Sequence, residues 1–177
     1  AKQFGMVITA ATAVSKQAQG FENQISIMDE RYLESMTRLA TAIKKEGSVA
    51  ILQLYHGGRM CYPGLFEGQD IVSASAVKAN RDYCVVPREL KTNEVYDIMD
   101  DFINALKLAI KAGFDGVEMH GANTYLLQQF FSPNSNQRED EFGGNVMQRL
   151  PVPLTLVKRA QEVRKEYNLP NFIIGYR

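Results

Sequence analysis

A histidine, an asparagine and a tyrosine follow one short apolar run closely enough to act together on a bound molecule. The run covers residues 116–119 (GVEM), and His120, Asn123 and Tyr125 come directly after it. If the run is a strand of a parallel α/β fold, these side chains lie at its carboxyl end, where such folds bind their ligands. An imidazole and a carboxamide can polarise a bound oxygen, and a phenol can deliver a proton. The competing interpretation is that His120 and Tyr125 are structural residues at a core edge, which is more common for an isolated residue of either type.

The apolar pattern predicts the elements that must position these groups. Strand-like apolar runs occur at residues 6–9, 49–54, 116–119 and 172–176. Apolar residues recur at helical spacing between these runs. The pattern predicts one helix from an N-cap at Asp29 to a stop at Gly47, a second from Thr92 or Asn93 to Gly113, and a third over residues 154–167. Pro151 and Pro153 are expected to prevent a regular helix before residue 154.

This order predicts an α/β fold in which residues 1–177 form a single domain with about four parallel strands and intervening helices. An open sheet of four such strands would expose edges that natural proteins avoid. A closed (β/α)8 TIM barrel normally takes about 250 residues. The chain is therefore expected to be an incomplete barrel, with the remainder supplied by a longer chain or a partner. The abrupt stop at Arg177 favours part of a longer chain.

Several other motifs have a structural interpretation. Residues 60–91 contain Gly, Pro and Ser without a clear period and are expected to form a long loop. The stretch His56-Gly57-Gly58-Arg59 lacks the phosphate-loop pattern, and we expect a loop turn there, with His56 or Arg59 near a cofactor edge. The acidic residues 139–141 are expected to be solvated or to pair with Arg138. Residues 143–144 are two glycines, for which we expect a positive φ.

The composition excludes several classes of function. The net charge is zero, so nothing draws the chain to nucleic acid or to an anionic membrane. The apolar runs are shorter than the roughly 18–20 residues that a membrane-spanning helix needs, and no signal peptide is expected from the first residues, AKQFGMVITA. Cys61 and Cys84 lack the spacing of a metal site or a disulfide framework, so no metal is expected and a reducing cytoplasm is the expected location.

The run HGANTYLLQQFFSPNSNQREDEFGG, residues 120–144, resembles the signature of the Old Yellow Enzyme family. These are NAD(P)H:flavin oxidoreductases in which a (β/α)8 barrel holds FMN. Four other segments agree in the order that the family has them: MVITAATAVS, AILQLYHGGR, AGFDGVEMHGAN and FIIGYR. The resemblance covers nearly the whole chain and is weakest at residues 60–91.

The resemblance implies a role for six residues. His120 and Asn123 match the pair that binds the carbonyl or nitro oxygen of the substrate, and Tyr125 matches the proton donor. Three residues match positions that contact the flavin: Ala11 beside N5 and O4, Gln53 at the pyrimidine ring, and Arg177 beside N1 and the C2 carbonyl. The strand that precedes residue 6 in the family and the later strands that bind the FMN phosphate are not part of this sequence. Full activity is therefore expected to need the rest of the barrel.

The function implied is an FMN-dependent oxidoreductase. NADH or NADPH reduces the flavin, and hydride then passes to an activated alkene such as an α,β-unsaturated carbonyl. Its partners would be a small-molecule electron acceptor and the remainder of the barrel, and a homo-oligomer stays open. Two alternatives also stay open: a TIM-barrel enzyme without flavin, against which the lack of a strand-end lysine argues, and an inactive fragment of the flavoenzyme.

Overall fold

The computed structural model describes residues 3–65, 68 and 70–177 of the chain. Its strands are β1 (Met6–Ile8), β2 (Thr12–Ala13), β3 (Val49–Tyr55), β4 (Val72–Ser73), β5 (Arg88–Glu89), β6 (Gly116–Met119) and β7 (Ile173–Tyr176). Its α-helices are α1 (Leu33–Lys44), α2 (Thr92–Lys111), α3 (Leu126–Phe131) and α4 (Pro151–Glu166). Two short 3₁₀ helices cover Glu30–Tyr32 and Gly58–Met60.

The four predicted strands form one parallel sheet in the order β1-β3-β6-β7, with β2 also paired to β3. Their sequence order equals their spatial order, and the connections from β1 to β3, from β3 to β6 and from β6 to β7 contain α1, α2 and α4. This repeated strand–helix unit is the building block of a (β/α)8 barrel. The α/β prediction is confirmed, and all four carboxyl ends lie at one edge of the sheet.

The helices cover one face of the sheet and form the core with it. Ala50, Leu52 and Leu54 of β3 belong to this core, as do Val117 and Met119 of β6. Because strand side chains alternate between faces, Gln53 and Glu118 lie on the opposite face. The register pairs these two residues directly.

Local signals place the first two helices. Asp29 caps the first 3₁₀ turn by accepting a hydrogen bond from the backbone N–H of Arg31 at 3.0 Å, as predicted. The carboxylate of Glu94 accepts from the backbone N–H of Lys91 at 2.7 Å and so begins α2. Gly47 and Gly113, both with φ near +90°, follow the two helices as the sequence predicts.

The predicted start of the last helix is wrong, because α4 begins at Pro151 and includes Pro153. The first backbone N–H groups of a helix have no partner within it. A proline in the first turn therefore loses no hydrogen bond, and its fixed φ suits the helix.

The loop prediction for residues 60–91 holds in outline. Residues 66, 67 and 69 lie outside the described residues. In the described part, the two-residue strands β4 and β5 pair in parallel and close the loop at its base. Tyr62 and Tyr83 stack with ring centroids 4.3 Å apart. The loop is therefore anchored at both ends.

Candidate functional site

His120 lies immediately beyond β6, at the carboxyl edge of the sheet. Its backbone N–H donates to the carbonyl of Leu54 at 3.0 Å, which extends the β3–β6 ladder by one step. The side chain is buried, whereas the following Asn123 and Thr124 are exposed. The imidazole is thus fixed by the sheet, and the loop brings the next polar groups over it.

The hydrogen bonds of His120 define which ring nitrogen can donate. Nδ1 accepts from the backbone N–H of Ala122 at 3.4 Å. In a neutral imidazole the proton then resides on Nε2, which becomes the donor. The carboxamide nitrogen of Asn123 lies 3.5 Å from this Nε2. The structure therefore places two candidate hydrogen-bond donors side by side, Nε2 of His120 and the carboxamide nitrogen of Asn123.

Tyr125 precedes α3 and packs between two other rings. Its ring lies perpendicular to that of His120, with centroids 5.0 Å apart, and perpendicular to that of Tyr55, with centroids 4.5 Å apart. Edge-to-face packing of this kind is favourable because the positive ring edge meets the negative ring face. No motif in the sequence indicated Tyr55 as a neighbour of this site.

The environment of His120 keeps its ring neutral. Burial lowers the pKa of His120, and the positive charge of Arg177 lowers it further, against a smaller opposing effect of Glu118. A neutral imidazole at neutral pH can donate from Nε2 without adding a positive charge to the site.

Gln53 lies on the neighbouring strand, on the face away from the helices. Its carboxamide nitrogen donates to Oε1 of Glu118 at 2.6 Å, and its backbone N–H donates to Oγ1 of Thr9 at 3.1 Å. Glu118 is the second residue that the sequence analysis did not select. The sequence did contain a signal for Glu118, because it is the one charged residue in the apolar run of β6.

Arg177 and Ala11 lie at the same edge of the sheet. The backbone N–H of Arg177 donates to the carbonyl of Met119 at 3.1 Å, so the arginine continues β7 beside β6. Its guanidinium is exposed and makes no ion pair with the described residues. The carbonyl of Ala11 accepts from Gln24 at 3.0 Å, and described contacts do not link Ala11 to His120 or Tyr125. The structure thus groups His120, Asn123, Tyr125 and Arg177 closely, with Gln53 one strand away.

His56 and Arg59 are held by backbone contacts in the turn that follows β3. Both are buried, and Nδ1 of His56 accepts from the backbone N–H of Gly58 at 3.0 Å. The guanidinium of Arg59 donates to the carbonyl of Val77 at 2.8 Å. Arg59 thus anchors the 60–91 loop. The expectation that one of the two residues lies at a cofactor edge stays a prediction.

The remaining motif expectations are partly confirmed. Asp140 is the acidic partner of Arg138, with oxygens 2.5 and 2.8 Å from the guanidinium, and this contact lowers the pKa of Asp140 to about 2. Gly144 has φ +89°, as expected. The expectation of a positive φ at Gly143 is wrong, because this glycine is required instead by the close approach of the Arg138 backbone.

Across the described ranges, no three His, Cys, Asp or Glu side chains lie together as a metal site would require. Within the same part of the chain, no helix combines the length and the hydropathy needed to cross a membrane.

Comparison with known proteins places this chain in a family. The family model for the NADH:flavin oxidoreductase / NADH oxidase family matches residues 1–177. The chain is 43% identical over 173 residues to the NADH:acrylate oxidoreductase of Vibrio harveyi, covering 98% of this chain and 17% of that protein. It is 43% identical over 177 residues to the NADH:fumarate oxidoreductase of Klebsiella pneumoniae (strain 342), covering 100% of this chain and 19% of that protein.

The fold agrees with solved structures of the same kind. A structure of morphinone reductase in complex with tetrahydroNAD superposes with a TM-score of 0.88 at 31% identity, over 97% of this chain and 50% of that one. The chain belongs to the NADH:flavin oxidoreductase / NADH oxidase family, which confirms the predicted resemblance. It has the architecture of part of a TIM barrel, and it spans about half of the solved chain.

Proposed function

We propose that this chain forms the acceptor-binding part of an FMN-dependent oxidoreductase that takes electrons from NADH or NADPH and reduces an activated alkene. The observation that carries the proposal is the position of the Asn123 carboxamide, 3.5 Å from Nε2 of His120 and next to the Tyr125 ring, at the mouth of a parallel sheet. Residues 1–177 would be a single central portion of the barrel, with the remainder supplied by a longer chain.

The residues present fit a flavin. The pyrimidine edge of FMN presents carbonyl acceptors on either side of an N–H donor. Gln53 has a carboxamide oxygen to which no described residue donates a hydrogen bond, and Arg177 has a guanidinium without an ion pair in the described part. An acceptor and a cationic donor are the two kinds of group that such an edge needs. We therefore propose that Gln53 and Arg177 bind this edge and that the Ala11 backbone lies beside the ring system.

When bound and reduced, FMN supplies a hydride. An alkene accepts a hydride only when its conjugated oxygen is stabilised as negative charge develops there. His120 Nε2 and the Asn123 carboxamide nitrogen are two donors held close enough to bind one such oxygen. Preorganised donors of this type contribute a few kcal/mol each to the transition state.

Reduction of the alkene also requires a proton at the α-carbon. Tyr125 is a phenol beside the two oxygen-binding residues, and the rings of His120 and Tyr55 hold it on two sides. A general acid in a fixed position contributes roughly 10²- to 10⁴-fold to such a step. We propose that Tyr125 donates this proton.

The names of two relatives support this class of acceptor. One relative is named for acrylate and the other for fumarate. Both molecules carry a carbon–carbon double bond conjugated to a carboxyl group. We propose that the acceptor of the present protein is likewise a small conjugated alkene.

We further propose a reducing cytoplasm as the location, since Cys61 and Cys84 are both buried thiols. The zero net charge gives no basis for a nucleic-acid or membrane partner. A homo-oligomer is compatible with these proposals.

The visible spectrum tests the proposal. FMN added to the protein, with the remainder of the barrel included in the chain, should show perturbed bands, which NADH bleaches and 2-cyclohexenone or acrylate restores without air. Tyr125→Phe should slow the reoxidation at least about 100-fold and leave the bleaching unchanged. The matched control is Tyr96→Phe, which removes the hydroxyl of an exposed tyrosine that contacts Glu141.

Two outcomes would contradict the proposal in different ways. FMN bands identical to those of free FMN at saturating protein would reject the flavin assignment for this chain. Bands that NADH bleaches but no conjugated alkene restores would keep the flavin and reject the acceptor class.

A further inference from the structure

The contact between Gln53 and Glu118 joins two strands on the face of the sheet away from the helices. The two residues are register partners in β3 and β6, and Nε2 of Gln53 lies 2.6 Å from Oε1 of Glu118. The next register partner, on β7, is Gly175, which has no side chain to compete for either group. No side chain of β7 therefore competes at this register position.

The carboxylate determines the orientation of the carboxamide. An ionised carboxylate only accepts hydrogen bonds, so the NH₂ end of Gln53 must face it. Rotating the carboxamide by 180° would bring two oxygens together and lose a charge-assisted hydrogen bond. Glu118 thus selects one of the two orientations of Gln53, and Oε1 points away from it.

The freed oxygen is available to a ligand. No described residue donates to Gln53 Oε1. The buried side-chain N and O atoms that lack a partner in the described part are His56 Nε2 and Arg59 Nε. Gln53 Oε1 is not among these buried atoms. It is therefore at least partly accessible from the face of the sheet that the helices do not cover.

We propose that Glu118 is a positioning residue that fixes Gln53 as a hydrogen-bond acceptor for the N–H of the flavin pyrimidine edge. This inference rests on the proposed function, because that function supplies the ligand. With its oxygen facing the ligand, Gln53 can bind a flavin N–H but not a flavin carbonyl. The guanidinium of Arg177 can only donate and so binds a carbonyl. Together the two residues recognise the order of donor and acceptor along the edge.

The orientation is tested first without any ligand, by NMR of the Gln53 side-chain NH₂ group. In the wild-type protein one of its protons should resonate downfield and should move upfield as the Glu118 carboxylate is protonated at low pH. Glu118→Gln should reduce the downfield shift, because a neutral carbonyl accepts more weakly than a carboxylate, and should remove its pH dependence. A purely structural role of Glu118 would not produce this titration. A Gln53 NH₂ signal that is the same in wild type and variant rejects the inference.

FMN affinity then tests the consequence, by quenching of FMN fluorescence. Gln53→Ala should weaken binding about tenfold, the value of one hydrogen bond. Glu118→Gln should weaken it less, because the Gln53 carboxamide then takes both orientations and only a fraction of the protein is competent. The double variant should bind no more weakly than Gln53→Ala alone, because Glu118 acts through Gln53. The control is Glu46→Gln, which removes a charge from an exposed position after α1 and should change nothing.

The outcomes separate this inference from the proposed function. If the two single effects add in the double variant, Glu118 acts independently and the positioning role is rejected. If the NMR titration is seen but the wild-type protein binds no FMN, the proposed function fails. The proposal that Gln53 Oε1 accepts from the flavin N–H then fails with it. In that case the orientation of Gln53 by Glu118 is the part that stands.

Discussion

The carboxamide of Gln129 donates a hydrogen bond of 2.7 Å to the backbone carbonyl of Thr124, the residue that precedes the proposed proton donor. The same Nε2 donates to the carbonyl of Gly57 at 3.1 Å. Its Oε1 accepts from the backbone N–H of Arg59 at 3.2 Å and from the hydroxyl of Ser73 at 2.9 Å. One buried side chain thus ties the Tyr125 loop to the turn after β3 and to β4.

Replacing Gln129 with alanine should destabilise the protein by about 2–4 kcal/mol, because it leaves several buried polar groups without partners. Gln129→Glu should also destabilise it, since a carboxylate cannot donate to the two carbonyls. The control is Gln161→Ala on the exposed face of α4, for which a change within about 0.5 kcal/mol is expected. Urea unfolding followed by circular dichroism measures all three. Equal stability of Gln129→Ala and the control would contradict the network.

Thr124 is in a strained backbone conformation, with φ +65° directly after Asn123 at φ +55°. A β-branched residue with positive φ is rare, and the strain amounts to roughly 1–2 kcal/mol. Thr124→Gly should therefore raise the free energy of unfolding by about 1 kcal/mol. Thr41→Gly, in the middle of α1, should instead lower it by a similar amount. Opposite signs for the two substitutions in thermal unfolding are the expected result, and a loss of stability at both sites would refute the strain at Thr124.

The sequence predicted the parts of the fold that depend on local pattern. Each main strand is a continuous apolar run, and α1 and α2 carry apolar stripes with clear start and stop signals. Helix α3 was missed because six residues are too few to show a period, and β2, β4 and β5 have two residues each. The start of α4 was misplaced because the pattern treats proline as a helix breaker, whereas a first turn tolerates it.

In the site, too, the sequence predicted what depends on local pattern and missed the long-range contacts. His120, Asn123 and Tyr125 are neighbours in sequence, so one motif was enough to bring them together. The Gln53–Glu118 contact joins residues 65 positions apart and depends on the register of β3 against β6. The Gln129 network needs three loops to meet, and no local pattern predicts that. Long-range polar contacts are therefore what the sequence alone did not supply.

The buried ring of His56 should make the free energy of unfolding fall as the pH is lowered. Burial lowers the pKa of His56 to about 3, from an ordinary value of 6.5 in the unfolded chain. The unfolded state therefore binds the proton first, so the neutral buried ring contributes stability above pH 6.5 that is lost as the pH falls toward 3. His56→Gln should reduce the slope of unfolding free energy against pH between these values. Urea unfolding at pH 4, 5 and 7 measures the slope.

The control for His56 is the other histidine, since the chain has two. Burial and Arg177 also lower the pKa of His120, so His120→Gln removes part of the same slope. NMR titration of the two histidine side chains separates them. A His56 ring that titrates near pH 6.5 in the folded protein would contradict the prediction.

Gly143 should be intolerant of any side chain, although its φ is ordinary. A Cβ there would collide with the backbone carbonyl of Arg138 and lie 2.7 Å from the Arg138 Cβ. Arg138 cannot easily move, because its guanidinium donates to the carbonyl of Ala74 at 2.9 Å and to that of Leu90 as well as binding Asp140. Gly143→Ala should therefore destabilise the protein by about 1–3 kcal/mol, as overpacking does.

Gly5→Ala is the matched control for Gly143→Ala. A Cβ at Gly5 meets nothing within 4 Å, and Gly5 does not have a positive φ. The substitution should leave the stability unchanged or raise it slightly, because alanine restricts the unfolded chain more than glycine does. Chemical unfolding of both variants, with equal slopes against urea, gives the comparison. If Gly143→Ala were as stable as Gly5→Ala, the turn would have to shift away from Arg138 at little energetic cost. The three carbonyl and carboxylate partners of that arginine would then not hold it in place.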